Sequence, residues 1–376
     1  MSNLLKDLPG FATDFSGAAS VLSSMGGLVA IHGPSGCMGN YTGFDEPDWF
    51  SSPGPVFSSL MREDEAILGL EDVIVDRITE TCRKCKPSFI AIVGSPVPAL
   101  IGVDYDGISR EIEENTGIPT FGINTTGFDN YCDGMIQTLS VLGNRFLSAF
   151  PKVVSNTVNL LGYNNLDYCS DNDLFDLKAL LLSEGWTINC ITGRSNIEEI
   201  ANIPNAECNL VLSSSALKFA TSLRERYGTP FSCQLPIGGI GKVCSTSVND
   251  TVPEEFSSNK RFLIIGDQVI SNSLRSFVEG RYGCTGDIST FFEFSDTLAR
   301  KGDVCLRGEN DLYDTLNRGY DIIIADPLFR SFLSTQESFV SLPHPAVSSR
   351  LYWGSHIRMF DKTITELLDD TFTDSF

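Results

Sequence analysis

The chain has 376 residues, 42% of them hydrophobic and 20% charged, the proportions of a folded protein with material for two or three cores. Forty-eight acidic against 27 basic residues leave a net charge of -21, which argues against nucleic acid or an anionic membrane as partner, since both need a basic face. No apolar run approaches the roughly 18 residues of a membrane span, and the opening MSNLLKDLPGF lacks a signal-peptide pattern, so a cytoplasmic location is expected.

Eleven cysteines then read as reduced thiols rather than a disulfide framework, a surplus that suits the reducing cytoplasm of an anaerobe. In chain order, eight apolar runs have strand length: GLVAIHG (27–33), SFIAIVGS (88–95), TFGIN (120–124), TVNLLGY (157–163), TINCITG (187–193), NLVLSSS (209–215), RFLIIGD (261–267) and DIIIADP (321–327). They are continuous and β-branched, as buried parallel strands are. Amphipathic stretches fall between them at 70–85, 105–117, 172–185, 216–228, 269–280 and 310–319, several ending in the glycine expected of a helix cap. The alternation predicts an α/β protein of three Rossmann-like, doubly wound units with mainly parallel sheets, spanning 1–155, 156–258 and 259–376, the last carrying a helical tail near 355–368.

Ligands of open α/β sheets collect beyond the carboxyl ends of the strands. HGPSGC (32–37) stands at such an end, and its glycine turn can aim a cysteine sulfur at a metal. By itself, a glycine bend with a structural Cys37 is the commoner arrangement. The turn fits neither GxxxxGKS/T nor GxGxxG. CRKC (82–85) lacks a second cysteine pair and reads as a basic helix end. In GSPVPALIGVDYDGI (94–108), Asp104 and Asp106 complement a helix start. In PIGGIGK (236–242), Gly238, Gly239 and Gly241 let backbone approach a ligand. His344, between two prolines in LPHPAVSSRLYWGSH (342–356), is placed to project into a cleft, where a neutral imidazole ligates metal or relays a proton.

Taken together and in order, these segments resemble the nitrogenase component 1-like oxidoreductase superfamily, which embraces nitrogenase catalytic and scaffold subunits, dark-operative protochlorophyllide reductases and compact reductive cyclases. HGPSGC resembles the family's HGPxGC turn, whose cysteine binds an interface iron–sulfur cluster. SSLMREDEAILGLED (58–72) resembles the segment ending in GGxxKL. SPVPALIGVDYDGI resembles CPxxLIGDD, and TVNLLGYNN resembles VNIIGDYN. NLVLSSSALKFATSLRERYGTPF (209–231) resembles the cofactor-cysteine helix, and HPAVSSRLYWG (344–354) resembles HSxxYSGPYHG with its cofactor histidine.

Three ligand positions depart from the family pattern. Pro96 stands where CPxxLIGDD has cysteine, Asp14 or Phe15 where the amino-terminal ligand falls, and Ser213 where the cofactor cysteine falls. The resemblance therefore implies a subunit of an ATP-dependent two-component reductase rather than a dinitrogen-reducing one. A nitrogenase reductase-like ATPase would deliver electrons to a 4Fe-4S cluster shared between subunits of a homodimer or heterodimer, with Cys37 as one ligand. Asp45, Glu46 and Asp48 are candidate oxygen ligands. Ser213, Ser214, Ser215, Gly238, Gly239, Gly241 and His344 would line a cleft for a metallocofactor or tetrapyrrole, His344 acting catalytically. Two rivals stand beside this: a non-catalytic metallocofactor scaffold or partner subunit, and a metal-free α/β binding protein.

Overall fold

The computed structural model describes residues 6–50, 54–240, 259–333 and 337–374. Three separate sheets run along the chain, and every pairing between their strands is parallel. The first holds β1 (Leu28–Ile31), β2 (Val56–Ser58), β3 (Ile90–Val93) and β4 (Thr120–Ile123), in the order β2-β1-β3-β4. The second holds β5 (Val154–Leu161), β6 (Thr187–Ile191), β7 (Ala206–Val211) and β8 (Phe231–Ser232), in the order β6-β5-β7-β8. The third holds β9 (Arg261–Ile265), β10 (Thr285–Thr290), β11 (Val304–Cys305), β12 (Ile322–Ala325) and β13 (Ser338–Ser341), in the order β11-β10-β9-β12-β13.

The α/β class and its three Rossmann-like, doubly wound sheets are those expected. Central strands β1, β3, β9 and β12 are buried almost throughout, which their unbroken Leu, Ile, Val and Ala runs require. The expected boundary near residue 155 falls at the start of β5, and that near 258 lies outside the described residues. The tail helix runs Lys362–Asp374 rather than 355–368, because 353–355 form a separate short turn.

Five strands escaped the sequence reading. β2, β8, β11 and β13 are only two to four residues long, and β10 opens with the weakly strand-forming Thr285, Gly286 and Asp287. Several helices of four to six residues escaped it as well, and so did two longer ones, Asp14–Leu22 and Tyr131–Phe146. The first is buried on every side, so it shows no polar stripe to betray a helical period. These two helices cross at glycines. A Cβ on Gly17 would sit 2.0 Å from Tyr131 O, and one on Gly134 would sit 1.8 Å from Asp14 O.

This crossing yields a first prediction. Gly134→Ala should destabilise the chain by about 1–3 kcal/mol or more, because backbone on the facing helix cannot yield as a side chain can. A lowered midpoint of urea unfolding is the expected reading, and an unchanged midpoint contradicts the close crossing.

Candidate functional site

Strand order reverses between β1 and β3, between β5 and β7, and between β9 and β12, and the residues following these strands are the ones to inspect. In the second and third sheets they converge. Ser213 and Ser214 follow β7, Asp267 follows β9, and Asp326 follows β12. Asp267 accepts from the backbone N–H groups of Ser214 (2.9 Å), Val269 (2.9 Å) and Ile270 (3.1 Å), and from the Ser214 hydroxyl. One carboxylate therefore caps the helix Gln268–Tyr282 and ties it to the end of β7.

A second carboxylate is shut away beside it. Asp167 has no exposed side-chain surface and accepts from the Tyr131 hydroxyl (2.6 Å) and Asn164 Nδ2 (2.5 Å), while its backbone N–H donates to Asn164 Oδ1 (2.9 Å). His344 Nε2 lies 3.3 Å from Asp167 Oδ1, and its Nδ1 has no hydrogen-bond partner. Burial pushes Asp167 up, but the His344 imidazole and the hydrogen bonds around it outweigh that and hold the carboxyl below its usual range. Burial, reinforced by the negative charge of Asp167, raises Asp267 to about 6. Asp326 fixes the His344 loop, accepting from His344 N (2.8 Å) and from the Ser348 hydroxyl (2.7 Å). The imidazole stacks on Phe292, ring centres 5.3 Å apart.

His344 and His356 both line a small cavity between these groups. His356 Nε2 is 3.0 Å from Asp173 Oδ2, leaving a buried Nδ1 without a partner. The other walls include Ile264, Ile265, Leu274 and Met359, and the volume is about 30 Å³. That is room for water, far below the roughly 300 Å³ at which small-molecule sites begin. A tetrapyrrole or large metallocofactor does not fit this cavity, and serine stands where a thiolate anchor would be needed.

The residues expected to line a cofactor cleft are thus partly gathered. Ser213, Ser214 and Ser215 are buried; Ser213 Oγ lies 2.9 Å from Ser215 Oγ and 3.4 Å from Asp267 Oδ2, so this run serves the buried polar knot. His344 joins the same knot. Gly238 N donates to Met359 O at 2.8 Å, and neither Gly238 nor Gly239 is among the described residues lining the cavity. Gly241 lies outside the described residues. Sequence reading missed Asp167, Asp267, Tyr131 and His356. Asp267 was findable as a carboxylate directly after an apolar strand, and His356 as the other histidine of its segment; nothing marked Tyr131.

Cys37 is elsewhere, half-buried on the short helix Ser35–Asn40 that follows β1. Gly33 permits the turn, with φ at +153° and space that a Cβ would lose to Ser95 Oγ at 2.1 Å. His32 is buried with Nδ1 2.8 Å from Ser59 Oγ, and burial lowers its pKa to about 4, so it is neutral at ordinary pH. The oxygen donors near Cys37 in sequence are already engaged. Asp45 accepts from Ser16 Oγ (2.6 Å), and Asn165 Nδ2 donates to Glu46 (2.5 Å) and to Asp48 (2.9 Å). Asp14 holds the 126–127 backbone at 2.6 and 2.7 Å, and Pro96 opens a helix. No group of three His, Cys, Asp or Glu side chains among the described residues gathers closely enough to hold a metal ion. One chain's residues do not fit a complete four-iron cluster, which usually takes four protein ligands. Cys37 by itself would supply one ligand of such a set.

The profile of the nitrogenase component 1 type oxidoreductase family matches residues 13–240, more than half of the chain, and the chain belongs to that family. The nitrogenase iron-molybdenum cofactor biosynthesis protein NifE of Bradyrhizobium diazoefficiens is 28% identical over 213 residues, covering 54% of this chain and 37% of that protein. The nitrogenase molybdenum-iron protein alpha chain of Methanothermobacter thermautotrophicus is 27% identical over 252 residues, covering 60% and 53%. The chain therefore spans about a third to a half of the length of these curated relatives. A solved structure of nitrogenase Cp1 at pH 6.5 superposes with a TM-score of 0.74 at 14% identity, over 100% of this chain and 94% of that one, which shows a shared fold. No helix of the described residues is long and apolar enough to cross a membrane.

The turn carries a second prediction. Burial raises Asp45 from 3.8 to about 6, against the lowering effect of Ser16. The folded value lies above the unfolded one, so Asp45 adds stability that is fully present below about pH 3.8 and is lost as the pH rises to about 6. Relative to Asp45→Asn, the wild-type unfolding free energy should fall by up to about 3 kcal/mol across that window. Urea unfolding at pH 4 and pH 7 measures it, and a constant difference between the two proteins contradicts the assignment.

Proposed function

We propose that this chain is a component 1-like subunit that contributes Cys37 as one ligand of an iron–sulfur cluster completed by a second copy or a sister chain. In this reading the assembly is an ATP-dependent two-component reductase, with a nitrogenase reductase-like ATPase as electron donor. The observation that carries it is the setting of Cys37. Its turn adjoins an open apolar face: Met61 N donates to Gly33 O, and Ile67, Leu68, Leu70 and Ile101 line one groove with His32, of about 350 Å³. Ile67 and Leu68 are 73% and 68% exposed, and apolar residues left in such a group mark a protein interface. A lone thiol on the turn beside that face supports a metal shared across a seam.

A second reading is favoured by the relatives themselves, among which a cofactor biosynthesis protein stands beside a catalytic alpha chain. In it the chain is a scaffold or supporting partner. The closed central cavity supports either reading over one in which a large cofactor resides inside this chain.

Anaerobic reconstitution with iron and sulfide, followed by metal analysis, electron paramagnetic resonance and mass determination, tests the proposal. Wild type, with or without its sister chain, should take up iron in a dimeric assembly and give a four-iron signal. Cys37→Ala should lose most of that iron while keeping its thermal midpoint. Iron at background in the wild type, or equal iron in the variant, overturns the reading.

A further inference from the structure

We propose that the cleft between the Cys37 helix and the segment following His344 binds a small amphipathic carboxylate. The cleft has a volume of about 410 Å³, within the range of small-molecule sites. One wall comes from Thr13 and from the turn carrying Asn40, Phe44 and Asp45; the other comes from Ser349 and Arg350. These parts of the chain are joined across the cleft by hydrogen bonds from Ala12 N to Ala346 O (2.8 Å) and from Ser349 Oγ to Phe44 O (2.5 Å).

Arg350 supplies the charge. Its guanidinium lies over the Phe44 ring, 4.9 Å from the centroid, and its Nη1 donates to Gly43 O at 3.4 Å. Among the described residues, no carboxylate lies within 4.0 Å of it. In a chain with 48 acidic and 27 basic residues, a cleft arginine left without an acidic partner is available to an anion. Asp45 also lines the cleft, but its carboxylate is occupied by the Ser16 hydroxyl at 2.6 Å.

A backbone feature marks the same wall. Ser349 holds φ 54° and ψ -145°, a conformation that residues other than glycine avoid and that persists where surrounding contacts impose it, commonly at ligand clamps. A carboxylate answers Arg350, while Phe44 and its apolar neighbours cover an organic body. This chemistry does not depend on Cys37.

Calorimetric titration of the intact chain with 1-naphthoate and with its neutral isostere 1-naphthamide tests the site. The acid should bind once per chain, at least about tenfold tighter than the amide, as a charge-assisted contact provides. Arg350→Gln should erase that preference and Arg350→Lys restore part of it, both with unchanged thermal midpoints. Ile101→Ser, in the other groove, should leave binding intact. Absence of binding, equal affinity for acid and amide, a preference surviving Arg350→Gln, or loss of binding in Ile101→Ser each overturns the proposal.

Discussion

Two buried carboxylates, Asp167 and Asp267, set the terms for the middle of this protein. An ionised carboxylate taken out of water costs several kcal/mol unless hydrogen bonds and opposite charge replace its solvation. The replacement here comes from all three sheets' surroundings. Tyr131, from a helix beside the first sheet, donates to Asp167; Ser214, at the end of the second, donates to Asp267; and His344, at the end of the third, faces Asp167. Moving any one unit would strip a buried charge of its partners. The strand ends are thereby fixed against one another around a cavity of only about 30 Å³.

That closure directs function outward. The central cavity is lined by imidazoles and carboxylates, with no cysteine among its described lining residues and little room, whereas the first unit offers the half-buried thiol of Cys37 and exposed leucine and isoleucine side chains. The family's architecture is kept, and the two proposals accordingly place chemistry at a seam beside Cys37 and in a cleft between the first and third units.

Much of this was legible in the residues. Unbroken runs such as LVAI and IIIA announce central parallel strands because both their faces are covered, and the ordered set of loose motifs gives the family resemblance. The helices Asp14–Leu22 and Tyr131–Phe146 were not legible. Their meeting depends on glycines at the crossing, and the first is buried around its whole circumference, neither of which leaves a period in the sequence. The site was only half visible. Ser213 and His344 stood out by their place in the motif order, but their contacts with Asp267 and Asp167 join positions 54 and 177 residues apart, which no local pattern records. Cys37 was conspicuous, yet its half-buried setting beside an apolar face follows from how residues 57–70 fold back against its turn.

The most direct measurement is mass-spectrometric alkylation of the cysteines before and after anaerobic assembly with iron and sulfide. Cys85 and Cys305 are exposed and Cys132 and Cys190 buried, so they serve as internal references. The account predicts that Cys37 is modified in the isolated chain and becomes protected on assembly while the references stay unchanged. Equal modification of Cys37 in both states contradicts a shared metal at that seam.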